Sequence, residues 1–185
     1  MKKSYGAKTI SYPLPVYIVG TYDKDMNPNI MAASWGGICN SKPPAISVSI
    51  RKSRHTYKNL KKSKDFTVNI PSDKFVKQAD YSGTFSGKNV DKFDELNLTA
   101  VKANDVNAPY IEEFPVSIIC SLMKTVELGS HVVFVGEIKD VLIDTDVCDD
   151  DGVPKMELIR PIVYDYPTKS YYVVTEKASK AYVSR

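Results

Sequence analysis

Arg51, Ser53, Arg54, His55 and Thr56 bring two guanidinium groups, an imidazole and two hydroxyls into one short stretch. Groups of this kind, converging where a helix begins, suit a phosphate. Guanidinium forks and hydroxyls donate to its oxygens, and the free N–H groups of a first helical turn add to them. The same residues also read as a polar loop that solubilises a strand end, and Thr56 taken alone could be a helix cap. The preceding strand favours a ligand. Ile46-Ser47-Val48-Ser49-Ile50-Arg51 alternates apolar and polar side chains, so Ser47, Ser49 and Arg51 share a face that leads to the cations. Before it, Met31-Ala32-Ala33-Ser34-Trp35-Gly36-Gly37 is small enough for a flat ligand to approach the backbone, with one indole to close an edge. Trp35 by itself reads as a core residue; its small neighbours make it a candidate contact. The succession has the form of a cofactor site.

The two histidines differ in company. His55 lies among cations. His131, in Gly129-Ser130-His131 before the apolar run Val132 to Val135, reads equally as a hydrogen-bonded residue at a strand start. No G-x-S-x-G elbow, P-loop, G-x-G-x-x-G fingerprint or H-E-x-x-H pair is present, which removes sequence support for the common hydrolase, nucleotidase and Rossmann readings. Cys39, Cys120 and Cys148 are far apart and form no C-x-x-C pair, so no metal site is expected.

The elements that position these residues are mostly strands. Val16 to Tyr22, Ile30 to Trp35, Ile46 to Arg51 and Phe66 to Ile70 are short, rich in β-branched or aromatic residues, and separated by Asn, Pro, Gly or Lys clusters. Asp25-Met26-Asn27-Pro28 is turn chemistry and predicts a hairpin, hence a largely antiparallel sheet. Thr56 to Lys64 predicts a surface helix whose lysines are solvated. Ser72 is a candidate N-cap for a helix through Ala79, Val90 to Leu96 a third helix, and Tyr81 to Lys88 a glycine-punctuated loop able to reach a ligand or a second subunit. Phe114 to Val126 and Val132 to Ile143 are the longest strands, the second with a bulge expected at Gly136. With Ile162 to Asp165 and Tyr171 to Thr175 the count reaches about eight strands, a mainly β architecture closing into a barrel with helical caps.

The chain has 185 residues, 43% of them hydrophobic, enough for one core, and one domain is expected over 1–185. Its 25 basic and 22 acidic residues nearly balance, which argues against a dedicated nucleic-acid binder. Three scattered cysteines, with neither a secretory n-region nor a membrane-spanning apolar run, point to a reduced cytoplasm.

Asn29-x-Met-Ala-Ala-Ser-Trp35, Ser41-Lys-Pro-Pro-x-Ile-Ser-Val-Ser-Ile-Arg51 and Ser53-x-His-Thr-Tyr57 together resemble the flavin reductase-like family, and within it the flavoredoxin-like members. The resemblance continues through Phe66-Thr-Val-Asn-Ile-Pro71, Ser86-Gly-Lys-Asn-Val-Asp-Lys-Phe93, Asn107-Ala-Pro109, Glu127-Leu-Gly-Ser-His131, Val135-Gly-Glu137 and Pro161-Ile-Val-Tyr164, nearly the whole chain. It implies an antiparallel Greek-key split β-barrel and a homodimer with FMN near the subunit boundary. Met31, Ala32, Ala33, Ser34 and Trp35 would surround the ring system. Ser49, Arg51, His55 and Thr56 would hold the phosphate and ribityl chain, Lys88 would add a cation, and Ile50, Ser53 and Tyr57 complete the cofactor-binding set. Gly129-Ser-His131 stands where the family associates Gly-Asp-His with nicotinamide binding, so His131 is the candidate on the nicotinamide side despite Ser130. Ala32 stands where flavoredoxin-like sequences commonly carry Thr, a loss of one hydrogen bond worth about 0.5 to 1.5 kcal/mol.

The function implied is an FMN-dependent oxidoreductase that takes a hydride from NADH or NADPH and passes electrons to a second acceptor. Two rivals stand beside it. One is an FMN-loaded electron carrier fed by a redox partner protein; the other is a flavin-free β-barrel binding module.

Overall fold

The computed structural model describes residues 1–181, so residues 182–185 of the expected domain lie outside the described residues. In chain order the strands and helices are β1 (Leu14–Pro15), β2 (Tyr17–Tyr22), β3 (Pro28–Ala33), β4 (Gly36–Ser41), β5 (Pro44–Arg51), α1 (His55–Ser63), β6 (Asp65–Ile70), α2 (Val76–Thr84) and α3 (Lys92–Leu96). They continue as β7 (Ala100–Lys102), β8 (Pro109–Ile111), β9 (Val116–Leu128), β10 (His131–Ile143), α4 (Met156–Ile159), β11 (Ile162–Asp165) and β12 (Ser170–Val173).

Seven strands form one antiparallel sheet in the order β3-β2-β6-β9-β10-β5-β4. The two outermost strands, β3 and β4, are consecutive in sequence, so the link Ser34–Trp35 crosses from one edge of the sheet to the other. The Ser49 N–H donates to the Trp35 C=O at 2.7 Å across this seam. A small sheet of order β1-β11-β12 and the hairpin β7-β8 complete the strands.

Alternation in β5 places Ile46, Val48 and Ile50 in a core with Phe66, Val68 and Phe134, while Ser47 and Ser49 face away. A second core gathers Ile18, Ile30, Ala79, Phe93 and Ile111. Each fully buried Ile or Phe of this kind contributes roughly 1.5–3 kcal/mol. The register slips between Val135 and Gly136, where a bulge is expected, with the extra residue, Met123, on β9; Gly136 also lets Phe66 pack close, since a Cβ there would lie 2.5 Å from that ring.

The structure corrects the expected elements: the described residues hold twelve strands rather than about eight, adding β1, β4, β7 and β8, and the helix boundaries shift. β4 was not expected as a strand; Gly36 and Gly37 hide the strand pattern, and its outer residues are exposed. Ser72 precedes a 3₁₀ turn, Asp73–Phe75, and makes no side-chain cap. Helix α2 runs to Thr84, taking in the start of the segment expected as a loop. There Tyr81 stacks on Phe85 at 4.2 Å, and the Ser82 hydroxyl donates to the Gln78 C=O at 2.7 Å.

Candidate functional site

A cavity of about 300 Å³ opens at the seam where β3 and β5 meet. Met31 to Trp35 form one wall, Ser49 to Arg51 another, and Arg54 and His131 stand at the rim. Tyr164 and Tyr166 reach it from the β11 end. Its position follows from the topology: one short segment lies between two sheet edges, and those edges converge on it.

The backbone of β3 is available there because β3 is an edge strand. Its Ile30 C=O accepts a hydrogen bond from Lys92 Nζ at 2.9 Å, so Ile30 directs its polar groups off the free edge. With a strand period of two, Ala32 directs its N–H and C=O the same way. The Ala32 side chain approaches α2 closely; a Cβ at Gly83 would lie 3.2 Å from it. A larger residue at this position would press on the helix, while the backbone amide is unaffected by the residue's identity.

His131 begins β10 and pairs across the ladder with Arg51. Its imidazole centroid lies 4.7 Å from the Trp35 ring at an interplanar angle of 34°. Ser130 Oγ lies 2.9 Å from Nδ1, leaving Nε2 for another partner. Burial, and then the Arg51 charge, hold this imidazole below its ordinary pKa, which favours the neutral ring.

A second cavity of about 350 Å³ includes Asp23, Asn29, His55, Gly87 and Lys88 in its lining. Arg54 is the N-cap of α1 and makes no side-chain cap bond, which leaves first-turn N–H groups for solvent or a ligand. Asn29 Nδ2 donates to Thr56 Oγ1 at 2.9 Å, while Asn29 Oδ1 is buried without a partner. Gly87 crosses so closely that a Cβ there would come within 1.8 Å of that oxygen. Asp23 is occupied by its own turn, accepting from the N–H groups of Asp25 and Asn27 and from Asn27 Nδ2. Burial lowers the His55 pKa; Asp23 opposes this, and Lys58, Lys92 and Lys88 add to it.

The residues proposed from sequence therefore separate into groups. Met31 to Trp35, Ser49, Ile50, Arg51 and His131 share the seam cavity, and His55 and Lys88 share the second. Ser53 is exposed in the turn before α1. Thr56 is buried and holds Asn29. The Tyr57 ring packs edge-on against Phe134 at 5.8 Å in the core. Among the described residues no cluster of metal-ligating side chains is found, and no helix is long and apolar enough to cross a membrane.

Sequence reasoning did not assign Asn29, Gly87, Tyr164 or Tyr166 a place at the site, nor expect Lys92 to be buried. The two tyrosines, one on β11 and one in the turn after it, are brought near only by tertiary folding. Lys92 has no local signal: next to Asp91 it reads as a charged residue in a helical first turn, yet it is 3% exposed. Its Nζ also donates to the Ser82 C=O at 2.7 Å.

Residues 9–167 match the model of the flavin reductase like domain, and the chain belongs to this family. Its structure is similar to that of flavoredoxin from Desulfovibrio vulgaris (Miyazaki F), with a TM-score of 0.95 and 46% identity over 100% of this chain and 99% of that one. Flavoredoxin from Methanosarcina acetivorans follows with a TM-score of 0.89 and 28% identity, covering 100% of this chain and 96% of that one. An uncharacterised protein of Archaeoglobus fulgidus is 37% identical over 131 residues, 70% of this chain and 72% of its own length. The expected mainly β split-barrel fold, antiparallel with a few short helices, is thereby established.

Proposed function

We infer that this chain is an FMN-binding oxidoreductase, a single domain that accepts electrons from NADH or NADPH and delivers them to a second acceptor. The observation that carries the reading is the seam cavity against the free edge of β3, with a second cavity beside the start of α1 where Lys88 and His55 stand along with Asp23 and Asp91. The fit to FMN rests on three features. Unpaired strand-edge amides suit the hydrogen-bonding edge of a flavin ring. The partnerless Asn29 Oδ1 suits a hydroxyl donor such as a ribityl chain. Arg51, Arg54, His55 and Lys88 suit a phosphate.

FMN would supply the capacity to take a hydride and release electrons one or two at a time. The protein's part is to bind and orient. Ala32 and Ser34 would offer N–H groups to the ring edge where negative charge gathers on reduction. Trp35 would cover one side of the ring. His131, neutral and with Nε2 free, would position the nicotinamide. No side chain need act as an acid or base.

The similarity to a flavoredoxin at 46% identity favours a second reading, an FMN-loaded carrier reduced by a partner protein. A homodimer is proposed on the exposed apolar residues Ile38 (68%), Met123 (48%) and Leu128 (62%). They lie on edge strand β4 and on the half of β9 beyond its pairing with β6. Cys39, Cys120 and Cys148 are free thiols, which supports a reducing cytoplasm.

The test is the visible spectrum of FMN-supplemented, desalted protein, followed anaerobically after adding NADH or NADPH. Retained flavin that bleaches supports the reductase. Retained flavin that stays yellow with both nucleotides favours the carrier. A protein that titration shows to bind no FMN would overturn both.

A further inference from the structure

The basic residues of this chain are unevenly placed. Between Arg51 and Lys64 stand seven of them and no acidic residue, whereas the whole chain has 25 basic against 22 acidic, so the remainder is net acidic. All seven are exposed. Among the described residues only Lys52 of the seven is ion-paired, to Glu127 at 2.7 Å. The opposite charge gathers in the stretch Asp144 to Asp151, which holds five acidic residues and no basic one. Arg51 pairs with His131 at the start of β10, and Asp144 follows the end of that strand at Ile143, so its 13 residues separate the two. The fold thus has a basic end and an acidic end, and the seam cavity opens at the basic one, where Arg51 and Arg54 line it.

Neither the helix nor the two cavities account for this charge. α1 buries Thr56, Asn59 and Leu60, and Lys58, Lys61 and Lys62 share the opposite face at i, i+3 and i+4, a spacing at which like charges repel. Arg54, at the N-cap, stands where the helix dipole favours negative charge, and the first turn holds no acidic residue. A surface that is merely solvated intersperses both signs. Lys61 and Lys64 lie outside both cavities, so a small ligand held in either does not account for them. An occupant that does is a macromolecule with an extended negative surface. A nucleic acid would also use rings on which its bases stack, and the Tyr57 ring of this stretch packs against Phe134 in the core instead. An acidic protein needs only the charge.

We propose that the exposed face of α1, with the run leading into it from Arg51, is the docking surface for an acidic electron-carrier protein. The inference rests on the carrier reading above and adds to it the surface and the charge of the partner. The positive end attracts an acidic surface and the Asp144 to Asp151 end repels it, so encounter is steered to the end at which the seam cavity opens. Lys58, Lys61 and Lys62 then meet carboxylates of the partner, which relieves their mutual repulsion. Arg54 places the contact beside the cavity. Encounters between redox proteins use small interfaces of this kind, and exposed charges make them sensitive to salt.

The experiment is a calorimetric titration of the FMN-supplemented chain with an oxidised iron–sulfur ferredoxin, a small acidic electron carrier, at low and at high salt. Wild type is compared with the double variant Lys61→Glu with Lys64→Glu, and with Asp150→Lys with Asp151→Lys at the acidic end. A separate FMN titration of each verifies the cofactor site. Wild type is expected to bind ferredoxin in the micromolar range at low salt and more weakly at high salt. Reversing the two lysines should raise the ferredoxin dissociation constant about tenfold or more while FMN affinity stays within about twofold, and reversing the two aspartates should leave ferredoxin binding unchanged or tighter. Equal ferredoxin affinity in wild type and the lysine variant, equal weakening by both variants, or equally tight binding of ovalbumin, an acidic protein without a redox centre, would overturn the proposal. Tighter binding of a single-stranded oligonucleotide than of ferredoxin would overturn it as well. A chain that retains FMN and binds no ferredoxin would overturn the docking surface alone, whereas one that binds no FMN would overturn the carrier reading and the inference with it.

Discussion

Trp35 and His131 meet at 4.7 Å with their rings tilted by 34°, although they come from opposite sides of the barrel seam. Trp35 lies in the link between the two sheet edges, and His131 is held beside it by ladder pairing with Arg51. One contact therefore joins the wall of the seam cavity to its rim. Replacing His131 with Ala should leave FMN affinity within about threefold, since the residue stands outside the proposed phosphate anchor. The rate of flavin reduction by NADH or NADPH should fall about tenfold or more, read by anaerobic stopped flow. The pH dependence has a definite sign. Burial and Arg51 hold the imidazole below its ordinary value, so wild-type rates should be flat from about pH 7 upward and change only in acid. An unchanged reduction rate in the variant would remove His131 from the nicotinamide side.

Arg51 ends the polar face of β5, and its guanidinium lies at the rim of the seam cavity. A charge-assisted hydrogen bond to phosphate is worth about 1.5 to 3 kcal/mol, so Arg51→Ala should weaken FMN binding about 10- to 100-fold. The loss should shrink at high salt, because the side chain is exposed and its charge is screened. Fluorescence titration at two ionic strengths measures both effects, and FMN affinity equal to wild type would remove Arg51 from the anchor.

How legible the site was depended on how local each signal is. The alternation of Ile46 to Arg51 and the small residues before it were visible because strand period and side-chain size are properties of neighbours in sequence. The turn at Asp25 to Pro28 was visible for the same reason. β4 escaped notice because an edge strand needs little apolar patterning, and Ile38, Cys39, Asn40 and Ser41 carry almost none. Tyr164 and Tyr166 depend on β11 packing beside the seam, a long-range outcome. Lys92 reads as a surface lysine until α2 and β3 close over it. The family resemblance supplied the order of the parts, and the structure supplied the difference between a cavity wall and a core contact, as for Tyr57.

Gly87 and Gly37 provide a contrast that tests the second cavity. A methyl group at Gly87 would come within 1.8 Å of Asn29 Oδ1, whereas one at Gly37 meets nothing within 4 Å. Gly87→Ala should displace its loop from Asn29 and disturb the Asn29–Thr56 bond, lowering stability by about 1 to 3 kcal/mol and FMN affinity with it. Gly37→Ala should leave both unchanged within about 0.5 kcal/mol. Denaturant melts and FMN titrations of the two variants side by side give the comparison. Wild-type behaviour in Gly87→Ala would mean that this close approach does not shape the site.

Lys92 makes a prediction about protons. Its pKa is lowered from 10.5 to about 8 in the folded chain, first by burial and then by Arg54. Between those two values the unfolded chain holds more protons at this position than the folded chain does. Stability should therefore rise with pH through that window, and Lys92→Met should remove that contribution. Below about pH 8 both states are protonated, and the burial cost is constant. Denaturant melts of wild type and Lys92→Met at several pH values across that window measure the difference, and a wild-type stability that does not rise relative to the variant's would mean that the buried ammonium does not set this dependence.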